Sequence, residues 1–363
     1  MKKILCAAMI ILVLALCACA CAEEPERITS GDYAYTLLED GTAEIVNYSG
    51  RAEELAIPET LDGVRVTSIG GSAFRWCDSL TGVTIPDGVT NIGVHAFDGC
   101  GRLTGVTIPD GVTSIGDYAF YWCRSLIGVT IPDSVTNIGD HAFSECRSLT
   151  GVMIPKSVTS IGANPFSFCE NLSDVQVSPD HPAFETIDGV LFSKADKRLV
   201  WYPRTKTDQT YVIPQGIAVI GDSAFEWCSS LTGVTIPDSV TRIGDSAFSD
   251  CYSLTDVTIP DSVTSIGDSA FKWCSSLTSV TIPDSVTSIG DFAFCFCNRL
   301  RCVTIPESVT NIGENAFAVE KKMHIVPNPS LTLTVPRNSY AAEYCRDNGL
   351  KYQYPDSLDW LLN

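Results

Sequence analysis

The amino-acid sequence predicts a repeat solenoid, a right-handed coil of 23-residue units with short parallel strands on one face and short helical turns on the other. Two observations predict it. Nine cysteines recur in steps of 23 residues, in two runs: Cys77, Cys100, Cys123, Cys146 and Cys169, then Cys228, Cys251, Cys274 and Cys297. A pattern that begins Ile-Gly-x-x-Ala-Phe surrounds them and starts ten times, at Ile69, Ile92, Ile115, Ile138, Ile161, Ile220, Ile243, Ile266, Ile289 and Ile312. One unit cannot bury its own apolar side chains, so it is stable only when stacked on like neighbours.

The first residues predict a secretory signal peptide over residues 1–22. Lys2 and Lys3 precede an uncharged run that ends at Glu23, and Ala20-Cys21-Ala22 has the small residues that a signal peptidase recognises. Leu16-Cys17-Ala18-Cys19 also resembles a bacterial lipobox, so lipidation at Cys19 is an alternative, and an uncleaved anchor is a third. All three place the rest of the chain outside the cytoplasm.

The strand of each unit is predicted from alternation. Val129 and Ile131 are two residues apart and share the buried face, whereas Thr130 takes the outward face. Pro132-Asp133 then predicts a turn, because proline cannot donate a hydrogen bond into a continuing ladder.

The other side of the unit is predicted as one helical turn. Residues 135–138 form a second short extended piece, and Gly139 permits a tight bend after it. Asp140 stands at the position of an N-cap, with Phe143 and Cys146 on the buried side of the turn.

The repeated pattern Ala-Phe-x-x-Cys-x-x-Leu-x-x-Val-x-Ile-Pro, which covers residues 67–317, resembles the BspA-type leucine-rich-repeat family of bacterial surface proteins. The segment between the fifth and sixth units, with Ile187 to Phe192 and Leu199 to Pro203, is similar to the longer coil that interrupts such arrays. The resemblance implies a secreted or cell-surface protein that is often adhesive and is not an enzyme. It also implies that the strand face is concave.

Both ends resemble the caps of this family. Gly31 to Tyr35 is similar to its N-terminal cap, and Val335-Pro336 with the segment from Ser339 is similar to its closing strand and helix. We therefore predict an N-terminal cap at 23–66, a solenoid at 67–326 with a longer coil at 178–213, and a C-terminal cap strand, helix and tail at 327–363.

Composition excludes several classes of partner. Acidic residues outnumber basic ones 43 to 24, for a net charge of −19, so phosphate-binding clusters of Lys and Arg are not expected. We predict no nucleic-acid partner, and a membrane contact only through a lipid anchor. The sequence leaves the oligomeric state open.

No catalytic, cofactor or metal site is predicted. The sequence has no Cys-x-x-Cys pair for zinc, no glycine-rich phosphate loop and no recognisable Ser-His-Asp motif. Carboxylates do recur in two rows, after Ile-Pro in seven units and, as aspartate, after Ile-Gly in six, so calcium stays open beside the simpler explanation of solubility. The nine repeated cysteines are predicted to be buried free thiols, because their parallel Cβ vectors disfavour disulfides, and Cys302 is predicted to be exposed.

Two rows of side chains are candidate contact surfaces. The first is a threonine ladder on the outward face of the strand, which either reflects β-propensity and side-chain hydrogen bonding or is the docking face for a partner. Its members are Thr84, Thr107, Thr130, Thr235, Thr258, Thr281 and Thr304. The second is an aromatic strip before the repeated cysteine, in which each indole either covers a neighbouring gap or contacts a protein or glycan. Its members are Trp76, Trp122, Trp227 and Trp273.

These observations lead to one functional hypothesis and a rival. The hypothesis is a non-catalytic adhesion or interaction protein that binds a protein or glycan on host or neighbouring bacterial cells. The rival is a structural spacer or envelope component without a specific ligand.

Overall fold

The structure, a computed structural model, describes residues 26–321 and 323–355. The predicted signal peptide, Cys19 and the last part of the predicted C-terminal tail lie outside these residues. Each coil contributes two short strands, so two parallel sheets run side by side along the solenoid. A three-stranded antiparallel meander interrupts the array and divides both sheets into an N-terminal and a C-terminal half.

The strands are numbered in chain order. In the N-terminal half, one sheet has the order β1 (Ile28–Ser30), β2 (Tyr33–Leu37), β3 (Ala43–Tyr48), β6 (Val64–Ile69), β8 (Asn91–Ile92), β10 (Ser114–Ile115), β12 (Asn137–Ile138) and β14 (Ser160–Ile161), with β5 (Thr60–Leu61) paired to β6. The other has the order β15 (Asp174–Val177), β13 (Gly151–Ile154), β11 (Gly128–Val129), β9 (Gly105–Thr107), β7 (Gly82–Thr84) and β4 (Glu54–Ala56).

The C-terminal half repeats this arrangement. One sheet has the order β16 (Phe184–Ile187), β17 (Val190–Ser193), β18 (Arg198–Trp201), β20 (Val219–Ile220), β22 (Arg242–Ile243), β24 (Ser265–Ile266), β26 (Ser288–Ile289) and β28 (Asn311–Ile312). The other has the order β19 (Thr210–Val212), β21 (Gly233–Thr235), β23 (Asp256–Thr258), β25 (Ser279–Thr281), β27 (Cys302–Thr304), β31 (Thr332–Thr334) and β32 (Lys351–Gln353). A hairpin of β29 (Ala318–Lys321) and β30 (His324–Pro327) and the helix α1 (Tyr340–Asp347) lie near the C-terminal end.

The predicted solenoid of 23-residue units is confirmed by the strand register. Parallel neighbours pair residues 23 apart, as Val83 pairs with Val106 and Val234 with Val257. Equivalent side chains therefore stack directly on one another, about 4.8 Å apart along the axis.

The core is built from stacked phenylalanines. In each repeat unit the Phe at the position of Phe120 is buried, and within each half its ring stacks on those of adjacent coils. Phe120 and Phe143, for example, have ring centroids 5.3 Å apart and planes 2° apart. The stacked rings are among the largest fully buried side chains and join each coil to the next by apolar contact.

The meander of β16, β17 and β18 divides the core into two clusters. Trp201 packs edge-on against Phe166 of the N-terminal half at 5.8 Å, while Tyr202 packs against Phe225 of the C-terminal half at 4.9 Å. Trp201 at the end of β18 and Tyr202 directly after it thus face opposite halves of the molecule. The two phenylalanine stacks do not touch.

Polar bonds also join the halves across this division. The Asn164 amide donates to the Ser223 carbonyl, and the Ser167 hydroxyl donates to the Glu226 carboxylate, both at 2.7 Å. Burial raises the pKa of Glu226 to about 7, and nearby Asp250 adds to that shift, while Arg204 opposes it. The seam between the halves therefore contains a carboxyl group that titrates near neutrality.

The predicted helical turn is wrong. Among the described residues the single α-helix is α1. The Ala-Phe segment is instead a chain of turns, and in the first nine repeat units it has two residues in the left-handed region. In one coil these are Tyr118 at φ 56° and Trp122 at φ 60°. Alternate backbone N–H groups then point to the next coil, as when Phe120 donates to the Ala142 carbonyl at 2.8 Å. A helix would have kept those bonds within the coil.

The predicted N-cap role of Asp140 is wrong for the same reason. Its Oδ1 atom accepts a hydrogen bond from the backbone N–H of Ala163 in the next coil at 2.7 Å, and Asp117 does the same for Asp140 at 2.8 Å. Gly139 is required by this close approach and not by a bend, because a Cβ there would lie 2.4 Å from Asp117 Oδ1. This aspartate row joins successive coils.

Candidate interaction surfaces

The threonine ladder lies where the sequence predicted it, on the outward face of the sheets that contain β7 and β21. All seven threonines are exposed, while the valine before each one is buried. The register places Thr235, Thr258, Thr281 and Thr304 directly beside one another along the sheet. In the N-terminal half Met153 continues the row after Thr130, so the polar surface is interrupted near the middle of the molecule.

The hydroxyl groups of this ladder are unused. None of the seven donates or accepts a side-chain hydrogen bond within the described residues. Two other threonine rows behave differently: Thr104 donates to the Thr81 carbonyl at 2.9 Å, and Thr113 donates to the Thr90 carbonyl at 3.2 Å. Side-chain hydrogen bonding thus explains those two rows but not the ladder, whose hydroxyls remain free for a partner.

Carboxylates flank the ladder on one side. In seven repeat units the residue after Ile-Pro is acidic and exposed, and it forms no ion pair within the described residues. The row comprises Asp87, Asp110, Asp133, Asp238, Asp261, Asp284 and Glu307. An open groove of about 770 Å³ follows the boundary between this row and the threonines and is lined by Asp284, Thr281 and Thr304 among others. A second groove, of about 510 Å³, lies at Asp133 and Met153 in the other half.

Sequence analysis missed the continuation of the ladder at the C-terminal end. Thr334 of β31 pairs with Thr304, and its hydroxyl accepts a hydrogen bond from the Gln353 amide at 3.1 Å. The segment from Leu331 to Pro336 lacks the repeated cysteine but retains alternation followed by Val-Pro. This shorter pattern could have predicted that the threonine ladder continues to Thr334.

The aromatic strip does not form one continuous surface. Trp76 is half exposed, whereas Trp122, Trp227 and Trp273 are partly buried. The Trp76 ring covers Gly99, where a Cβ would lie 2.3 Å from the indole. This contact matches the interpretation that a large residue fills the gap left by a small neighbour.

The other three tryptophans pack in separate groups. Trp122 meets Trp76 edge-on at 5.8 Å, Trp227 meets Tyr252 at 5.3 Å, and Trp273 lies 4.2 Å from Phe296. Much of the surface of these three side chains is therefore covered by contacts within the protein.

The repeated cysteines are free thiols, as predicted, and all except Cys77 are buried. The structure adds a role that the sequence did not reveal. The Cys123 thiol donates to the Phe97 carbonyl of the preceding coil at 3.3 Å, and six other members make the equivalent contact with a phenylalanine carbonyl within 3.3 Å. Burial raises the pKa of the Cys123 thiol well above its ordinary value, while Cys302 is exposed. The thiols of these repeated cysteines are thus structural hydrogen-bond donors.

Within residues 26–321 and 323–355, no group of three or more His, Cys, Asp or Glu side chains is arranged to hold a metal ion. The part of the chain that the structure describes contains no helix long and apolar enough to span a bilayer.

The stacked 23-residue coils and their ladders define a leucine-rich-repeat solenoid. The family model of the BspA type Leucine rich repeat region matches this sequence in six copies, over residues 67–197 and 205–324. The chain therefore belongs to the BspA-type leucine-rich-repeat family. No curated protein matches the chain.

Several solved structures are similar to this one. A leucine rich cell surface protein from Faecalibacterium prausnitzii shares 31% identity at a TM-score of 0.63, over 94% of this chain and 98% of that one. A leucine-rich repeat protein from Eubacterium ventriosum shares 26% identity at a TM-score of 0.60, over 79% and 93%. The pneumococcal vaccine antigen PcpA shares 19% identity at a TM-score of 0.61, over 92% and 99%, which is a likeness of fold alone.

Proposed function

We propose that this protein is a secreted or surface-attached, non-catalytic adhesion module that binds a partner protein or glycan through the threonine ladder. The observation that carries the proposal is the row of seven exposed hydroxyls without internal hydrogen bonds, next to seven unpaired carboxylates. Rows of the same residue type elsewhere in the chain use their hydroxyls within the fold, so the ladder is the row that an external ligand can use.

The charge of this face specifies the partner. Exposed carboxylates line the groove, and the whole chain has a net charge of −19. A partner with a basic patch is attracted to such a surface, and salt weakens that attraction. An extracytoplasmic location is supported by the relative from Faecalibacterium prausnitzii, which is named as a cell surface protein.

The test uses residues 23–363 to capture host and bacterial surface proteins, followed by an affinity measurement with each captured partner. Thr130, Thr258 and Thr281 are then changed together to Lys, which leaves the buried valines untouched. We expect the triple variant to fold and to lose binding by about a hundredfold or more.

A matched variant separates site from charge. Glu170, Ser229 and Asn298 are exposed residues that each follow one of the repeated cysteines. Changing them to Lys adds at least as much positive charge, but away from the threonine ladder. Binding should survive in this control. Unchanged affinity in the threonine variant, with loss after replacement of Trp122, Trp227 and Trp273, would move the site to the aromatic strip. Failure to find any saturable partner would favour the structural spacer.

A further inference from the structure

A pocket of about 460 Å³ lies where the N-terminal cap meets the first repeat unit. Arg51, which follows β3, lines one side, and Arg75, Trp76, Asp78 and Ser79 of the first unit line the other. The volume is within the range of pockets that hold small ligands. None of its lining residues belongs to the threonine ladder, so it is a separate feature of the surface.

Trp76 gives the pocket a fixed apolar wall. Its backbone is held on both sides, because its N–H donates to the Asp98 carbonyl at 2.7 Å and its own carbonyl accepts from the Asp78 N–H at 2.8 Å. Its ring rests on Gly99, and half of its surface still faces solvent. An indole that is both rigid and exposed binds a flat apolar ligand face with little loss of conformational freedom.

The polar walls of the pocket have unused hydrogen-bonding capacity. The Arg75 Nε atom is 2.8 Å from the carboxylate of Asp98, a residue that is 1% exposed, which fixes the guanidinium while its two terminal nitrogens make no hydrogen bond with a described residue. Arg51 is exposed and forms no ion pair in the described part of the chain. The side chains of Asp78 and Ser79 are likewise unpaired among the described residues.

We propose that this pocket binds a carboxylated sugar unit, such as a uronic acid, within a glycan. The apolar C–H face of a pyranose ring stacks on Trp76, its carboxylate pairs with Arg51 and Arg75, and its hydroxyls donate to Asp78 and accept from Ser79. A neutral sugar leaves Arg51 without a counter-charge and gives the terminal nitrogens of Arg75 no charged acceptor. A free inorganic anion has no apolar face for the indole. The proposal is independent of the threonine ladder and can fail without affecting it.

The test is calorimetric titration of the purified protein with trigalacturonate and with a hyaluronan tetrasaccharide, which carries glucuronate. Galactotriose is the neutral counterpart. We expect at least one acidic probe to bind about tenfold or more tightly than galactotriose, and added salt to weaken its binding. Trp76→Ala and Arg51→Gln should each reduce that affinity at least about tenfold. Arg51→Gln should also remove most of the salt dependence.

Matched variants control for folding and for charge. Arg102 is exposed and lies outside the pocket, so Arg102→Gln removes the same charge and should leave affinity unchanged. Trp76→Phe retains an aromatic ring over Gly99 and should bind with intermediate affinity if Trp76→Ala unfolds. Absence of binding by both acidic probes would overturn the proposal. Galactotriose or a triaspartate peptide that bound as tightly as the acidic sugars would also overturn it. So would an affinity for the acidic sugars that Trp76→Phe and Arg51→Gln leave unchanged.

Discussion

Phe143→Ala should damage one half of the solenoid and spare the other. The Phe143 side chain is fully buried and stacks on Phe120 at 5.3 Å and on Phe166 at 6.0 Å. Replacing a buried phenylalanine by alanine costs about 3–5 kcal/mol, and two lost ring contacts place this site in the upper part of that range. The Phe143 carbonyl, which accepts from the Cys169 thiol, is retained, so the loss is one of packing.

The location of that loss follows from the division of the core. Phe143 belongs to the N-terminal cluster, and Phe248, which stacks on Phe225 at 4.9 Å and on Phe271 at 5.2 Å, is its counterpart in the C-terminal cluster. Hydrogen exchange measured by mass spectrometry should show faster exchange in coils next to the changed residue, in the N-terminal half for Phe143→Ala and in the C-terminal half for Phe248→Ala. Equal loss of protection in both halves for either variant would refute the separation of the two cores.

Three further predictions concern single side chains. Cys302 should be alkylated in the native protein while Cys123 reacts only after unfolding, as peptide mass mapping would show; a Cys100–Cys123 disulfide in the non-reduced protein would contradict this. Because the folded state raises the pKa of Glu226 to about 7, stability should fall as pH rises from about 4.5 through 7, by at most about 3 kcal/mol. Glu226→Gln should lack this loss in urea unfolding at pH 5 and pH 8, and an identical pH dependence in both proteins would disprove the assignment. Asp245→Ala, which leaves the Asp268 N–H without its acceptor at 3.0 Å, should cost about 1–3 kcal/mol, whereas the exposed Asp261→Ala should cost less than about 0.5 kcal/mol in the same assay.

The period and the strands were predictable because they depend on side-chain polarity alone. Val129 and Thr130 differ in polarity, and strand alternation then fixes which of them is buried. The conformation of the Ala-Phe segment was not predictable in this way. Phe143 and Cys146 are three residues apart, and this spacing places both on the buried side in a helical turn and also in the observed chain of turns. The difference lies in the backbone of residues such as Trp122, at φ 60°. Propensity disfavours that conformation for a bulky residue, and only the hydrogen bonds between neighbouring coils compensate for it.

The candidate surfaces were predictable in position but not in chemistry. Outward placement of Thr258 follows from alternation, yet Thr255 is in the same coil and donates to the Thr232 carbonyl at 3.0 Å. Sequence does not reveal which hydroxyl is used, because that depends on the distance to the preceding coil. The pocket at Trp76 was similarly hidden, since Arg51 lies 25 positions earlier and outside the repeated pattern.

The division of the core at Trp201 and Tyr202 also determines how the molecule yields to a pulling force. When the two ends are drawn apart, short parallel strands open one pair at a time, as in a zipper. Each released coil adds about 80 Å of extended chain. Unwinding that begins at one end meets the antiparallel meander before it reaches the far half, because β17 is bonded to strands on both sides. A chain stretched between two attachment points therefore lengthens in steps while the opposite half keeps its shape, and a single-molecule extension trace would resolve those steps.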